Sequence, residues 1–419
     1  MFMIAARWLL AVSVCVALGA CQKHEDKASP APAKPAASAL QPPYPHCPAQ
    51  GVHVDCHDLG RQLDPGDYVA ADLARVDLPL QQNGHEATAS GLAGADAFLA
   101  DILVLPSGKL YAVGGAGLKV AMANGTADTH WHVVQHSDFA DTLHRVTFVD
   151  AQRGFAVGTN GEILRTQDAG QHWELFNRLF STGDDPAIDD LKMPGDAYAV
   201  AFADASHGVI VGEDRIFRSI DGGQQWQRVP QSLDHIALQD LQFVDARRGW
   251  AVGSAGTVRR TDDAGEHWTA VTLGTDVHLM GVSFADAAHG CIGGGYKVWC
   301  SEDGGQHWQA ADVAVPKDLD PEEAIAITRL RMGNGGHGWF ITRDGLIFAT
   351  VDGGHHWTPW MDVVKASQGK LNGVELWGLA LGQDRAWAVG TGGFEAANAQ
   401  APPGAVSLAS SPLILSWPL

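Results

Sequence analysis

An eight-residue turn of the form Ser/Thr-x-Asp-x-Gly-x-x-Trp occurs five times in the chain, and no other feature restricts its fold so tightly. The copies run from Thr166 to Trp173, Ser219 to Trp226, Thr261 to Trp268, Ser301 to Trp308 and Thr350 to Trp357. A unit repeated at blade-sized intervals cannot bury its apolar face alone, so stacked copies must supply a shared core. Each fixed residue has a mechanical role. The carboxylates of Asp168, Asp221, Asp263, Asp303 and Asp352 can fold back onto amides of their own turn. The Gly two residues later admits positive φ. Trp173, Trp226, Trp268, Trp308 and Trp357 open the next strand and offer a large apolar face to a neighbouring sheet.

A second repeat precedes the turn. Phe148-Val-Asp150-Ala-Gln-Arg-Gly154 recurs from Phe202 to Gly208, Phe243 to Gly249 and Phe284 to Gly290, each time before a short apolar strand. That strand gives the count. It reads Tyr111-Ala-Val-Gly114, Phe155-Ala-Val-Gly158, Val209-Ile-Val-Gly212, Trp250-Ala-Val-Gly253, Cys291-Ile-Gly-Gly294, Trp339-Phe-Ile-Thr342 and Trp387-Ala-Val-Gly390. Strand, turn, strand, Gly turn, strand, Asp turn, strand is one four-stranded antiparallel unit. The eight-residue turn is identified as the Asp-box, or BNR, repeat of sialidase-like β-propellers. The expected fold is therefore all-β, a seven-bladed β-propeller of four-stranded antiparallel blades with Asp-box turns, although six blades remain open. Both terminal blades lack the box, as terminal repeats often do, and which terminus closes the ring is left open.

The N-terminus reads as an export signal over residues 1–20. Arg7 supplies the basic region, Trp8 to Leu18 the apolar core, and Leu18-Gly-Ala-Cys21 a lipobox that makes Cys21 the lipidation site. The apolar run is too short to span a bilayer. Gln22 after the Cys resembles the outer-membrane sorting pattern, so the periplasmic face of the outer membrane is the expected location, or the thylakoid lumen in a photosynthetic source. Residues 21–46 are rich in Lys, Pro, Ala and Ser and read as a tether. Residues 47–94 form a segment with a local disulfide expected between Cys47 and Cys56, which either donates a strand to the propeller or packs against it. Residues 95–419 are assigned to the propeller. A formal charge of −20 argues against a nucleic-acid partner.

The repeated carboxylates are read as turn formers because they recur once per blade, whereas a catalytic pair occurs once. No catalytic residue is assigned. His172, His267, His307 and His356, each before a Trp, are spaced around a rim and do not converge on one ion. The acidic runs Asp184, Asp185, Asp189, Asp190 and Asp318, Asp320, Glu322, Glu323 lack the ligand alternation and glycine of a calcium loop. No metal or cofactor is expected. Cys291 and Cys300 face each other across a hairpin, and a disulfide is expected there as well.

Arg165, Arg218 and Arg260 precede the box in three successive blades, opposite Phe155, Val209 and Trp250, where a guanidinium can stack on an aromatic ring. The composite blade, carried best by Gly161-Glu-Ile-Leu-Arg165-Thr-Gln-Asp168 and Gly256-Thr-Val-Arg-Arg260-Thr-Asp-Asp263, closely resembles the photosynthesis system II assembly and stability factor family of cyanobacteria and chloroplasts. The resemblance implies a seven-bladed, non-catalytic, often lipid-anchored propeller that receives a membrane subunit through an arginine-rich face. Here that face would comprise Arg165, Arg218 and Arg260, and it fails at Cys300 and Ala349. The expectation is a protein-binding scaffold at a membrane, its partner a membrane or envelope protein. A glycan-binding or degenerate glycosidase-type propeller is the alternative, motivated by the boxes and the 14 Trp.

Overall fold

The computed structural model describes residues 74–419 apart from the segments 94–97, 116–117, 124–130, 137–141, 179–194, 231–232, 234–235, 318–326 and 395–407. The export signal, Cys21, the tether, Cys47, Cys56 and both acidic runs lie outside the described residues.

Seven antiparallel sheets follow one another along the chain. Their innermost strands are Phe98–Val104, Leu143–Phe148, Ala197–Phe202, Leu238–Phe243, Gly281–Phe284, Ile327–Met332 and Leu371–Leu381. Each lies against the next, and the last lies against the first, so the ring closes. The second strand of every blade is the repeated apolar tetrapeptide, buried throughout in the blades built on Tyr111, Phe155, Val209, Trp250, Cys291 and Trp339.

Two blades carry a fifth strand. In the sixth, Asp312–Val313 pairs in parallel with the outer strand His356–Asp362. The seventh is completed from both ends of the described chain: Leu371–Leu381, Arg385–Phe394 and Leu408–Pro418 are followed in the sheet by His85–Ala93 and then Ala74–Gln82. Ser90 pairs with Ile414 and Ala89 with Leu415. The described part of the segment before residue 95 thus belongs to the propeller and donates two strands, not one. The hairpin joining them turns at Asn83 and Gly84, both at positive φ, the geometry that Asn-Gly favours between two strands.

The core is divided among the seven interfaces between blades. In the five where the next blade carries a box, the tetrapeptide's first residue lies near the apolar end of the next blade's inner strand and its box Trp. Phe155, Phe202 and Trp226 form one such group, with Phe155 stacked on Phe202 at 5.2 Å and edge-on to Trp226 at 6.1 Å. Trp250, Phe284 and Trp308 form another. The box glycines explain why Gly is required there. Gly223 has φ +86° and sits where a Cβ would be 2.3 Å from Phe155, and Gly305 stands in the same relation to Trp250. In the fifth blade the aromatic is replaced by the Cys291–Cys300 disulfide, against which Gly354 of the sixth blade packs.

Candidate functional site

The Asp-boxes are closed on themselves. In all five copies the Ser/Thr hydroxyl donates to the Asp carboxylate at 2.8 to 2.9 Å. The same carboxylate accepts a backbone N–H four residues on, at 2.9 Å from His172, Gln225, His267 and His307 and 3.1 Å from His356. The backbone N–H of His307 holds Asp303 well below the usual carboxylate range. His172, His267, His307 and His356 each place Nδ1 on the carboxylate of their own box and do not converge. Among the described residues, no group of three or more His, Cys, Asp or Glu is arranged to hold a metal ion. The tryptophans are spent likewise: of those described, only Trp308, Trp360 and Trp377 are not buried.

Arg165, Arg218 and Arg260 occupy equivalent third-strand positions, paired in register with Phe155, Val209 and Trp250. Each guanidinium is already engaged. Arg165 pairs with Glu174 and lies 4.2 Å over Phe176, the ring on its own fourth strand rather than Phe155. Arg218 donates from Nε to the carbonyl of Ala264 at 2.9 Å, in the next blade's box, and approaches Glu266 at 3.5 Å. Arg260 lies 5.4 Å over Trp250 and bonds Asp262 at 2.7 Å. The three therefore tie blades and turns together, and they do not form an unpaired basic face.

The centre of the ring holds a charge cluster that the repeats do not announce. The seven residues paired with the third position of the tetrapeptide are Asp101, Arg145, Ala199, Asp240, Gly281, Arg329 and Gly378. Four of these are charged, and all four are buried: Asp240 is 1 % exposed, Asp101 2 %, Arg145 5 % and Arg329 8 %. They meet across the middle. Arg145 of the second blade reaches Asp240 of the fourth at 2.7 Å, and Arg329 and Arg331 of the sixth approach the same Asp at 3.6 and 3.5 Å. Asp101 of the first blade lies 3.8 Å from Arg145 and accepts the N–H of Val146 at 3.2 Å.

The electrostatics follow from this geometry. Burial alone would raise Asp240, but Arg145, Arg329 and Arg331 outweigh it and hold the carboxyl below its ordinary value. Burial also opposes the charge on Arg145, and Asp240 and Asp101 more than compensate. For Arg329, burial, reinforced by the like charge of Arg145, outweighs the pull of Asp240 and Asp101 and brings it down to about 9. Buried ion clusters contribute little net stability as a rule, but losing one partner is costly.

Sequence reasoning missed this cluster although the register contained it. In six of the seven inner strands the pairing shifts by one residue just before the central position, as between Leu143 and Arg145 or Leu238 and Asp240. Such a bulge breaks the simple alternation by which an inward position is read. The skipped residues include His144 and Tyr198, whose rings lie 5.4 Å apart. Asp196 approaches His144 at 3.5 Å, and Tyr198 donates to Glu213 at 2.9 Å.

A family model described as photosynthesis system II assembly factor YCF48 matches residues 180–277 and 266–393, just over half of the chain. The chain belongs to this family. A family relative from Synechococcus sp., named photosystem II assembly lipoprotein Ycf48, is 28% identical over 212 residues, covering 46% of this chain and 59% of the relative. Another from Thermosynechococcus vestitus, named photosystem II assembly protein Ycf48, is 26% identical over 273 residues, covering 56% of this chain and 76% of the relative. The chain thus spans less than two thirds of the Synechococcus relative. The solved structure of YCF48 from Cyanidioschyzon merolae superposes with TM-score 0.54 at 16% identity, covering 82% of this chain and 98% of that one. Virginiamycin B lyase from Staphylococcus aureus superposes with TM-score 0.57 at 12% identity, covering 79% and 98%. At such identities the likeness is one of fold, and the family shares its fold with enzymes.

Proposed function

We propose that this chain is a non-catalytic scaffold that holds a membrane protein during assembly, a reading supported by relatives named as photosystem II assembly proteins. The observation that carries the reading is the family match across the box-bearing blades, combined with carboxylates that are each consumed inside their own turn. A retaining or inverting glycosidase needs two carboxyl groups flanking one cleft, and the repeated aspartates face separate turns. The tryptophans that would stack on sugars are mostly interior, which counts against the glycan reading.

The relatives named as lipoproteins support export and lipid attachment at Cys21 as part of the same proposal. The arginine series enters it as a face that exchanges its own carboxylates, Glu174, Glu266 and Asp262, for those of the partner. Such an exchange gives salt-sensitive, specific docking with little penalty for leaving the carboxylates in water. The test is a crosslinked pull-down from native membranes with the full chain. Wild type is expected to recover a membrane subunit that the Arg165→Ala, Arg218→Ala, Arg260→Ala triple variant recovers poorly. Equal recovery removes the arginines from the docking face, and hydrolysis of a sialoside or xyloglucan by the wild type overturns the scaffold reading.

A further inference from the structure

Asp240 is approached by more donors than its carboxylate can serve. A carboxylate offers about four lone-pair sites. Asp240 already gives Oδ1 to the N–H of Leu241 at 3.0 Å and to Arg145 at 2.7 Å, and Oδ2 to the N–H of Val282 at 3.1 Å. One site remains for two guanidinia, Arg329 and Arg331. Among the described residues no other carboxylate lies within ion-pair distance of either. Arg331 also donates to the carbonyl of Leu330 at 2.9 Å and is partly open to solvent. Arg329 is more than nine-tenths buried, its Nε has no hydrogen-bond partner, and among the described residues its one ionic contact is that at 3.6 Å.

Summed over the cluster, three guanidinium groups stand against two carboxylates, so a single positive charge is left inside the ring. An uncompensated buried charge is destabilising by several kcal/mol unless a counter-charge joins it. Asp101 does not supply one: its Oδ1 has no hydrogen-bond partner, but its charge is already counted, and among the described residues its ion pair is with Arg145. A divalent anion would overshoot by a full charge. We propose that the centre of the propeller, between Arg329 and Arg331, binds one small monovalent anion of the halide class. Arg329 and Arg331 lie two apart on one strand and so project from the same side of it, and both reach toward Asp240, with Nε of Arg329 left without a partner. Arg331, the more exposed of the two, gives the ion its way in.

The test uses the full chain in gluconate buffer at fixed ionic strength, with chloride or bromide replacing gluconate. An ion that binds the folded state alone raises Tm with saturation, by a shift on the order of 3 °C at tenfold the dissociation constant. The wild type is expected to show this rise, and crystals grown in bromide are expected to show an anomalous peak in contact with Arg329. Arg329→Met removes the surplus charge. It is expected to fold, by far-ultraviolet circular dichroism, and to lose the halide response, whereas Arg165→Met keeps it. Identical Tm in chloride and gluconate overturns the proposal, as does a halide response that survives in Arg329→Met. If Arg329→Met fails to fold, the bromide peak decides alone, and its absence beside Arg329 overturns the assignment.

Discussion

The rim and the centre of this propeller handle charge in opposite ways. At the rim each carboxylate is partly exposed, satisfied within eight residues of chain, and copied five times. At the centre Asp101, Arg145, Asp240 and Arg329 are buried, their partners lie on other blades, and each charge is present once. Asp303 bonds to Ser301 and His307, whereas Asp240 bonds to Arg145 across an intervening blade. The difference teaches that repetition here marks what any blade needs to stack, and singularity marks what this particular ring does. A rim turn can fail alone; the centre cannot.

The sharpest way to break this contrast is Asp240→Ala. It strands three guanidinia in the interior and is expected to cost about 3–5 kcal/mol in urea unfolding. Asp168→Ala, which removes a local turn acceptor, is expected to cost about 1 kcal/mol. Equal losses would dissolve the distinction. Next in size, replacing Cys291 and Cys300 together by Ser opens a short loop at the fifth interface, with an expected loss of about 2–3 kcal/mol by the same measurement.

Gly223→Ala places a Cβ against Phe155 at positive φ, and thermal unfolding is expected to show a loss of about 1–3 kcal/mol. Gly84→Ala meets open space, so only the backbone term applies, about 1 kcal/mol. The smallest effects belong to rim titration. Asp286 is held at about 2 by the N–H groups of His289 and Ala288. A lowered carboxyl stabilises the fold above its unfolded value near pH 4 and loses that contribution as pH falls toward 2. Tm should decline over that window, and less steeply in Asp286→Asn. His356 is shifted the other way, upward, by Asp352. Its contribution is complete below about pH 6.5 and fades as pH rises through the raised value, so His356→Gln should flatten a pH titration of Tm there.

The rim was legible because its residues state their own geometry. Ser/Thr, Asp, Gly and Trp at fixed spacing describe a turn whose Ser/Thr and Asp side chains bond inside the motif. The tetrapeptide gave the blade count, and Cys291 could be set opposite Cys300 by counting out from a turn. The centre was harder because a partner across the ring leaves no mark on local sequence. Arg145 and Asp240 are far apart in sequence, and bulges displaced both from the expected alternation. The arginines before the box were placed correctly in register, but their partners within the chain were not read. Glu174 and Asp262 were in view, and only coordinates could show that they fold back onto Arg165 and Arg260. The closing strands were hidden by polar composition, although Asn83-Gly84 was a hairpin signal in plain sight.

The seventh blade joins strands from opposite ends of the described chain, and this orders events in time as well as in space. The hairpin of Ala74–Gln82 and His85–Ala93 leaves the ribosome before any of the sheet it belongs to, and it must wait until Leu408–Pro418 has been made. Until that moment six blades are a curved stack with two raw ends. Clipping either flank should therefore unzip the same seam, and a newborn copy stays open until its final strand appears.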